Sequence, residues 1–360
     1  MTGSPLASWQ PLPVLLQPLQ LAARIPLPGG TCAIDRTLTA ASLPVVMGLL
    51  LLSLLGLAWL TRLRPHLPAH LAVMALGVLF FELFTAPMWD NAHLGRWAYL
   101  YRDVSWILTL AWTVLFLLVV TLVDRLRPRW RALPRFALSL GLITAVTVPA
   151  ETVLVAAGIR GYAPEVRDAA VGGFSYGVPV AILYYVPVFA SLVLGFYRYW
   201  SLVIDGALLI PMRRIHWRRG LLLTTAVVLL FELMVEPMVV NRGYPAWANV
   251  HRDINLFMTG LWVLVIALTA LVVNRVYVLR PPAFRMVLAV LVATAIALPI
   301  EYGLFVTGMR VYGPSATANF SGFTIPVLQA PVEIAFAIPC YLALVLASIR
   351  YWDLVIDNRL

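Results

Sequence analysis

Glu82, Glu151, Glu232, Glu236, Glu301 and Glu333 are carboxylates set in long stretches otherwise made of leucine, valine, alanine and phenylalanine. Holding one such group charged at the middle of a bilayer costs roughly 2.5–3.5 kcal/mol or more, so each must keep its proton, face a wet cavity or pair with a cation. The cations available at a matching position along the chain are Arg102, Arg160, Arg252 and Arg310. On a purely structural reading, Glu151 with Arg160, or Asp103 with Arg102, are ion pairs that lock helix ends, and Asp103 and Asp253 also cap the helices that follow them. On a functional reading, one or more glutamates stay neutral in an apolar site and act as acids toward an oily substrate.

These residues recur. Residues 81 to 164 match residues 231 to 314 at a constant offset of 150 without a gap. FELFTAPMWDN (Phe81 to Asn91) pairs with FELMVEPMVVN (Phe231 to Asn241), Arg102-Asp103 with Arg252-Asp253, and Pro149-x-Glu151 with Pro299-x-Glu301. Gly158, Arg160, Tyr162 and Pro164 find Gly308, Arg310, Tyr312 and Pro314. Two copies that diverged elsewhere kept this polar set, which makes Glu82, Glu151, Glu232, Glu301, Asp103 and Asp253 the candidates for catalysis. Candidates for touching a substrate are Asn91, Trp97, Arg102, Arg160 and Tyr162 in one copy and Asn241, Trp247, Arg252, Arg310 and Tyr312 in the other. Other aromatic rings at the same level, among them Trp89, Tyr99, Tyr101 and Trp106, fit an interfacial belt.

The elements that position these groups follow from composition. A 360-residue chain that is 62% hydrophobic and 12% charged cannot hide its apolar side chains in a water-soluble globule. Apolar runs long enough to cross a membrane fall near 43–63, 68–90, 105–123, 134–159, 177–200, 217–240, 254–274, 283–308 and 324–350. The expected fold is all-α and polytopic, with about nine transmembrane helices: a tandem parallel repeat of a four-helix unit plus one extra N-terminal helix. The divisions are a tail or interfacial segment over 1–42, the extra helix over 43–63, one unit over 64–205 and the other over 206–360. Four spans per unit is an even number, so both copies insert the same way up, about a pseudo-two-fold axis along the membrane normal. Pro187 and Pro339, in the last span of each unit, are hinges or packing bends.

All 26 basic residues are arginine, so the net charge of +10 reads as a topology signal. They cluster on alternate connections: Arg62 and Arg64; Arg125 to Arg135; Arg213, Arg214, Arg218 and Arg219; and Arg275, Arg280 and Arg285. The positive-inside rule makes these loops cytoplasmic, with the N-terminus outside, the C-terminus in the cytoplasm and the polar set near the outer leaflet of the cell membrane. Cys32 and Cys340 lie too far apart in this topology to pair, and the histidines have no ligand spacing, so no disulfide and no metal are expected. Nucleotide and phosphate loops, a GxSxG elbow and aspartate-rich magnesium motifs are absent. No cofactor and no nucleic acid are expected. The partners expected are membrane lipids and a lipophilic small molecule within the bilayer.

Thr85-Ala86-Pro87-Met88-Trp89-Asp90-Asn91, followed by Trp97-Ala98-Tyr99, resembles the P-W-D-N…W-x-Y segment of membrane-embedded lycopene cyclase domains. Pro299-Ile300-Glu301-Tyr302-Gly303-Leu304-Phe305 resembles their P-x-E-E-x-x-F motif, and the stretch from Glu151 through Tyr162 to Gly177-Val178-Pro179 is similar to the related carotenoid hydratases. The paired acid of the cyclases is missing, since Thr152 follows Glu151 and Tyr302 follows Glu301, and the second copy lacks the tryptophan and aspartate. The resemblance implies cofactor-free cyclisation or hydration of a carotenoid or other isoprenoid, with a buried glutamate as the acid that protonates an alkene. A proton-coupled transporter and a non-catalytic lipid-binding membrane subunit are the alternatives. Because Trp89 and Asp90 occur in one copy only and Glu236 and Glu333 in the other only, one asymmetric site or one active half is expected.

Overall fold

The computed structural model describes residues 34–170, 172–208, 217–325 and 330–357. Expectations for most of the N-terminal tail, for Cys32 and for Arg213 and Arg214 lie outside these residues. The helices are α1 (Ser42–Leu63), α2 (Leu67–Thr85), α3 (Trp106–Leu126), α4 (Ala132–Ala156), α5 (Pro164–Asp168), α6 (Ile182–Ile204), α7 (Trp217–Val235), α8 (Leu256–Val276), α9 (Pro282–Val306), α10 (Pro314–Ala318) and α11 (Val332–Ile356). Among the described residues nine helices, all but the short α5 and α10, are long and apolar enough to cross a membrane. The chain is an all-α, multi-pass membrane protein.

Helices α2, α3, α4 and α6 pack in a ring, α7, α8, α9 and α11 pack in a second ring, and α1 lies against α3. The rings share a wall in which α6 packs on α11 and α2 also reaches α11. There the backbones come close: a Cβ on Gly195 would lie 2.4 Å from Ser348 Oγ and 3.2 Å from Ser348 Cα. At one end of this wall Ser315 donates from its backbone N and its hydroxyl to the two Glu165 oxygens, at 2.8 and 2.6 Å. Ser315 is the counterpart of Glu165, and two equivalent residues can touch only beside the axis that relates the copies.

Short antiparallel ladders, which the sequence reading did not foresee, join the helices at the end opposite the arginine-rich turns. They are β1 (Trp89–Asn91) with β4 (Arg160–Tyr162) and β7 (Val239–Asn241) with β10 (Arg310–Tyr312). The hairpins are β2 (Tyr99–Tyr101) with β3 (Val104–Ser105), β5 (Phe174–Ser175) with β6 (Val178–Pro179), and β8 (Asn249–His251) with β9 (Ile254–Asn255). The β5–β6 hairpin corrects a span. Residues 177–181 have the apolar content of a helix, but Gly172, Gly173 and Gly177 take φ of 87, 75 and 78°, so α6 starts at Ile182. The last span likewise starts at Val332 rather than 324, after a bridge between Thr324 and Pro331.

Candidate functional site

Glu151 and Glu301 occupy the last turns of α4 and α9, and Gly158 and Gly308, with φ of 69 and 71°, reverse the chain just beyond. The reversal carries the next strand back along the helix it has left. Side chains in a strand alternate, so Arg160 and Tyr162 share one face of β4, and Trp89 and Asn91 lie opposite them on β1. Both residues of β4 meet Glu151: Arg160 Nε lies 3.2 Å from Oε2, and the Tyr162 hydroxyl donates to Oε2 at 3.0 Å. In the second copy Arg310 Nε donates to Glu301 Oε1 at 2.9 Å and Tyr312 donates to the same oxygen at 2.5 Å. Burial and the adjacent carboxylate hold both tyrosines well above the usual phenol range. Glu151 and Glu301 are therefore enclosed partners of arginine, with 5% and 3% exposure.

Glu82 and Glu232, on α2 and α7, have no arginine within ion-pair distance among the described residues. Each is bonded instead to a threonine one helix over, Thr109 to Glu82 Oε2 and Thr259 to Glu232 Oε2, both at 2.5 Å. Thr109 also lies 2.9 Å from the Ser105 carbonyl. Its hydroxyl has one hydrogen, so both contacts are hydrogen bonds only if the Glu82 carboxyl carries a proton.

Beside each set lies a cavity, about 40 Å³ in the first copy and about 140 Å³ in the second. Every residue lining the smaller one except Thr147 has its counterpart lining the larger one, once the repeat is followed past residue 314. By the last span the offset has become 152, pairing Arg198-Tyr199-Trp200…Leu202-Val203-Ile204-Asp205 with Arg350-Tyr351-Trp352…Leu354-Val355-Ile356-Asp357. Two lining positions lose an aromatic ring between the copies: Trp89 becomes Val239 and Tyr185 becomes Ala337. In the first copy the Arg160 guanidinium lies 5.4 Å from the Trp89 ring centre, and in the second Arg310 donates to Asn241 Oδ1 at 2.8 Å.

The larger cavity is walled by a ring cluster: Phe84–Phe231 and Phe231–Tyr341 at 4.7 Å between centroids and Trp262–Tyr341 at 5.5 Å. The first copy contributes Phe84, Pro87, Met88 and Tyr101 to this wall. Tyr101 donates to Glu333 Oε1 at 2.7 Å, and Ser321 N donates to the same oxygen at 2.6 Å. Burial, and then Glu333, push the Tyr101 phenol up to about 12. Tyr101 and Glu333 were not among the expected site residues, because the contact joins residues 232 apart and Glu333 has only Ala181 as its counterpart.

Several expected residues fall elsewhere. Trp97 and Trp247 are 53% and 70% exposed and line neither cavity. Arg102 does not pair with Asp103 but donates to the Phe320 carbonyl of the other copy at 2.9 Å, and Arg252 reciprocally reaches Ala169 O at 3.1 Å and lies 3.6 Å from Glu236. Nor do the aspartates cap: Ser105 and Asn255 accept from the N–H groups of Ile107 and Phe257 and so begin α3 and α8. Asp103 is 1% exposed, among the described residues neither of its oxygens has a hydrogen-bond partner, and burial pushes its carboxyl up to about 8. Asn91 and Asn241 donate to the backbone carbonyls of Asp103 and Asp253, tying each ladder to the next hairpin. Among the described residues no group of His, Cys, Asp and Glu is placed to hold a metal ion.

No protein-family model matches the chain, and no curated protein and no solved structure is significantly similar to it.

Proposed function

We propose that the chain is an integral-membrane cyclase or hydratase of an isoprenoid such as a carotenoid, and that the larger cavity is its site. The observation that carries this reading is a carboxyl with no arginine partner among the described residues, Glu232, held by Thr259 and opening on an aromatic-walled cavity of about 140 Å³ inside a membrane bundle. Glu232 enters the reaction as the neutral acid and gives its proton to one carbon of an alkene. The π pair forms the new C–H bond and leaves a cation on the neighbouring carbon. Phe84, Phe231, Trp262 and Tyr341, which line the cavity, set aromatic rings around that cation, and water is kept out except where it is the reactant. Attack by a second alkene and loss of a proton gives a ring, and capture by water with loss of a proton gives an alcohol. Either way a proton returns to the carboxylate. Glu301 is held by Arg310 and Tyr312 and sets the electrostatic floor of the site rather than supplying the proton. By the positive-inside rule the site opens toward the outer leaflet of the cell membrane, with the arginine-rich turns in the cytoplasm.

The test is a host that accumulates acyclic polyenes, expressing the wild-type chain or Glu232→Gln, with its lipid extract compared by mass spectrometry. New cyclic or hydrated products from the wild type alone support the reading. Identical extracts from both, with the protein present in the membrane, exclude it.

A further inference from the structure

At the arginine-rich end of the bundle the two copies neutralise the same buried charges in different ways. In the first copy Asp124, near the end of α3, stands among three arginines. Arg198 of α6 donates to both its oxygens at 2.7 and 3.0 Å, Arg135 of α4 lies 3.5 Å away and Arg64 lies 4.0 Å away. The second copy keeps the counterparts of Arg135 and Arg198, which are Arg285 on α9 and Arg350 on α11, but has Asn274 where Asp124 stood. Arg350 turns to Asp353 on its own helix at 3.0 Å. That carboxylate is already shared with Arg219, at 2.6 Å. Arg285 has no ion pair and no side-chain hydrogen bond among the described residues, although it is only 3% exposed and its Nε is enclosed without an acceptor.

A guanidinium does not lose its proton in a protein, and a charge taken out of water without a counter-charge costs several kcal/mol. Arg285 also sits near the start of a 25-residue helix, where the helix dipole adds positive potential. Asp353 serves Arg350 and Arg219, and Arg219 also holds Asp357, so the group left calling for a negative partner among the described residues is Arg285, and the residue that would supply it has been replaced by an amide.

We infer that this corner binds a phosphate-bearing anion, which gives Arg285 and Arg350 the negative charge that Asp124 gives Arg135 and Arg198. Phosphate suits guanidinium forks because its oxygens accept two parallel hydrogen bonds. The end of a membrane-spanning bundle lies at the level of lipid head groups, so the phosphodiester of an anionic lipid and free inorganic phosphate are both within reach. This site is independent of the cavity and its chemistry.

The experiment uses the full chain and the variant Asn274→Asp, which restores the missing carboxylate and leaves both arginines in place. Thermal unfolding is followed in phosphate-free detergent, with inorganic phosphate added at matched ionic strength. It is then repeated in vesicles of phosphatidylcholine alone or mixed with phosphatidylglycerol. The wild type is expected to gain about 2–4 °C from at least one anion, and Asn274→Asp to gain little because it is already neutralised. A response to phosphatidylglycerol alone assigns the site to a lipid head group, and a response to inorganic phosphate shows that the free anion suffices. A wild type indifferent to both anions, or an Asn274→Asp chain that responds as fully as the wild type, overturns the inference.

Discussion

The two copies of the four-helix unit share their polar pairings and differ in the space beside them. Glutamate, arginine and tyrosine meet in the same way at Glu151, Arg160 and Tyr162 and at Glu301, Arg310 and Tyr312. Next to them the first copy packs Trp89 and Tyr185 and leaves about 40 Å³, while the second has Val239 and Ala337 and leaves about 140 Å³. The shared pairs therefore read as what both copies need in order to hold α4 and α9 to their strands. The cavity reads as what only one copy needs. Removal of two rings on the cavity wall, with the ion pair untouched, turns a structural unit into a candidate site.

The largest effect is expected from the acids. Glu232→Gln should reduce turnover by about 10²–10⁴-fold, measured as product per mole of protein in membranes, while Glu82→Gln stays within a few-fold of the wild type. Equal losses would break the comparison. Next comes the shared pair: Arg160→Leu and Arg310→Leu each strand a buried carboxylate, at about 3–5 kcal/mol. Thermal unfolding in detergent should fall markedly and to a similar extent in both, because the pairs do the same work in both copies. A smaller effect is expected at the wall between the rings, where Gly195→Ala forces a Cβ against Ser348 and should cost about 1–3 kcal/mol.

Asp103 gives a pH signature. In the folded chain its carboxyl stays protonated up to about pH 8, and its ordinary value is 3.8. A carboxyl whose folded value is raised is most favourable to folding below its ordinary value, so stability should decline as pH rises from about 4 to 8 and then level off. Asp103→Asn should flatten that decline in melting temperature.

Much of this fold could be read in the sequence, because lipid allows few solutions. Runs such as Ser42–Leu63 can only be helices, and a match between residues 81–164 and 231–314 at one offset fixes the repeat. The Glu151–Arg160 contact was legible too, since a glycine reversal seven residues after the glutamate brings position 160 back beside it. What was hidden depended on contacts between the copies. Arg102 has an acid next to it in the chain and still bonds the Phe320 carbonyl of the other copy, 218 residues away. Tyr101 meets Glu333 by the same kind of crossing. The cavity was hidden for another reason: Ala337 aligns with Tyr185 only after the offset shifts from 150 to 152, so the loss of that ring is invisible in an ungapped comparison.

The central claim, that the open cavity of the second copy is the working one, is tested most directly by exchanging the wall residues between the copies. Val239→Trp with Ala337→Tyr should close the larger cavity and abolish product formation while the chain still folds and melts near the wild-type temperature. Trp89→Val with Tyr185→Ala should leave product formation within a few-fold of the wild type. Full activity in the filled variant, or loss of activity only in the variant opened in the first copy, would contradict the account.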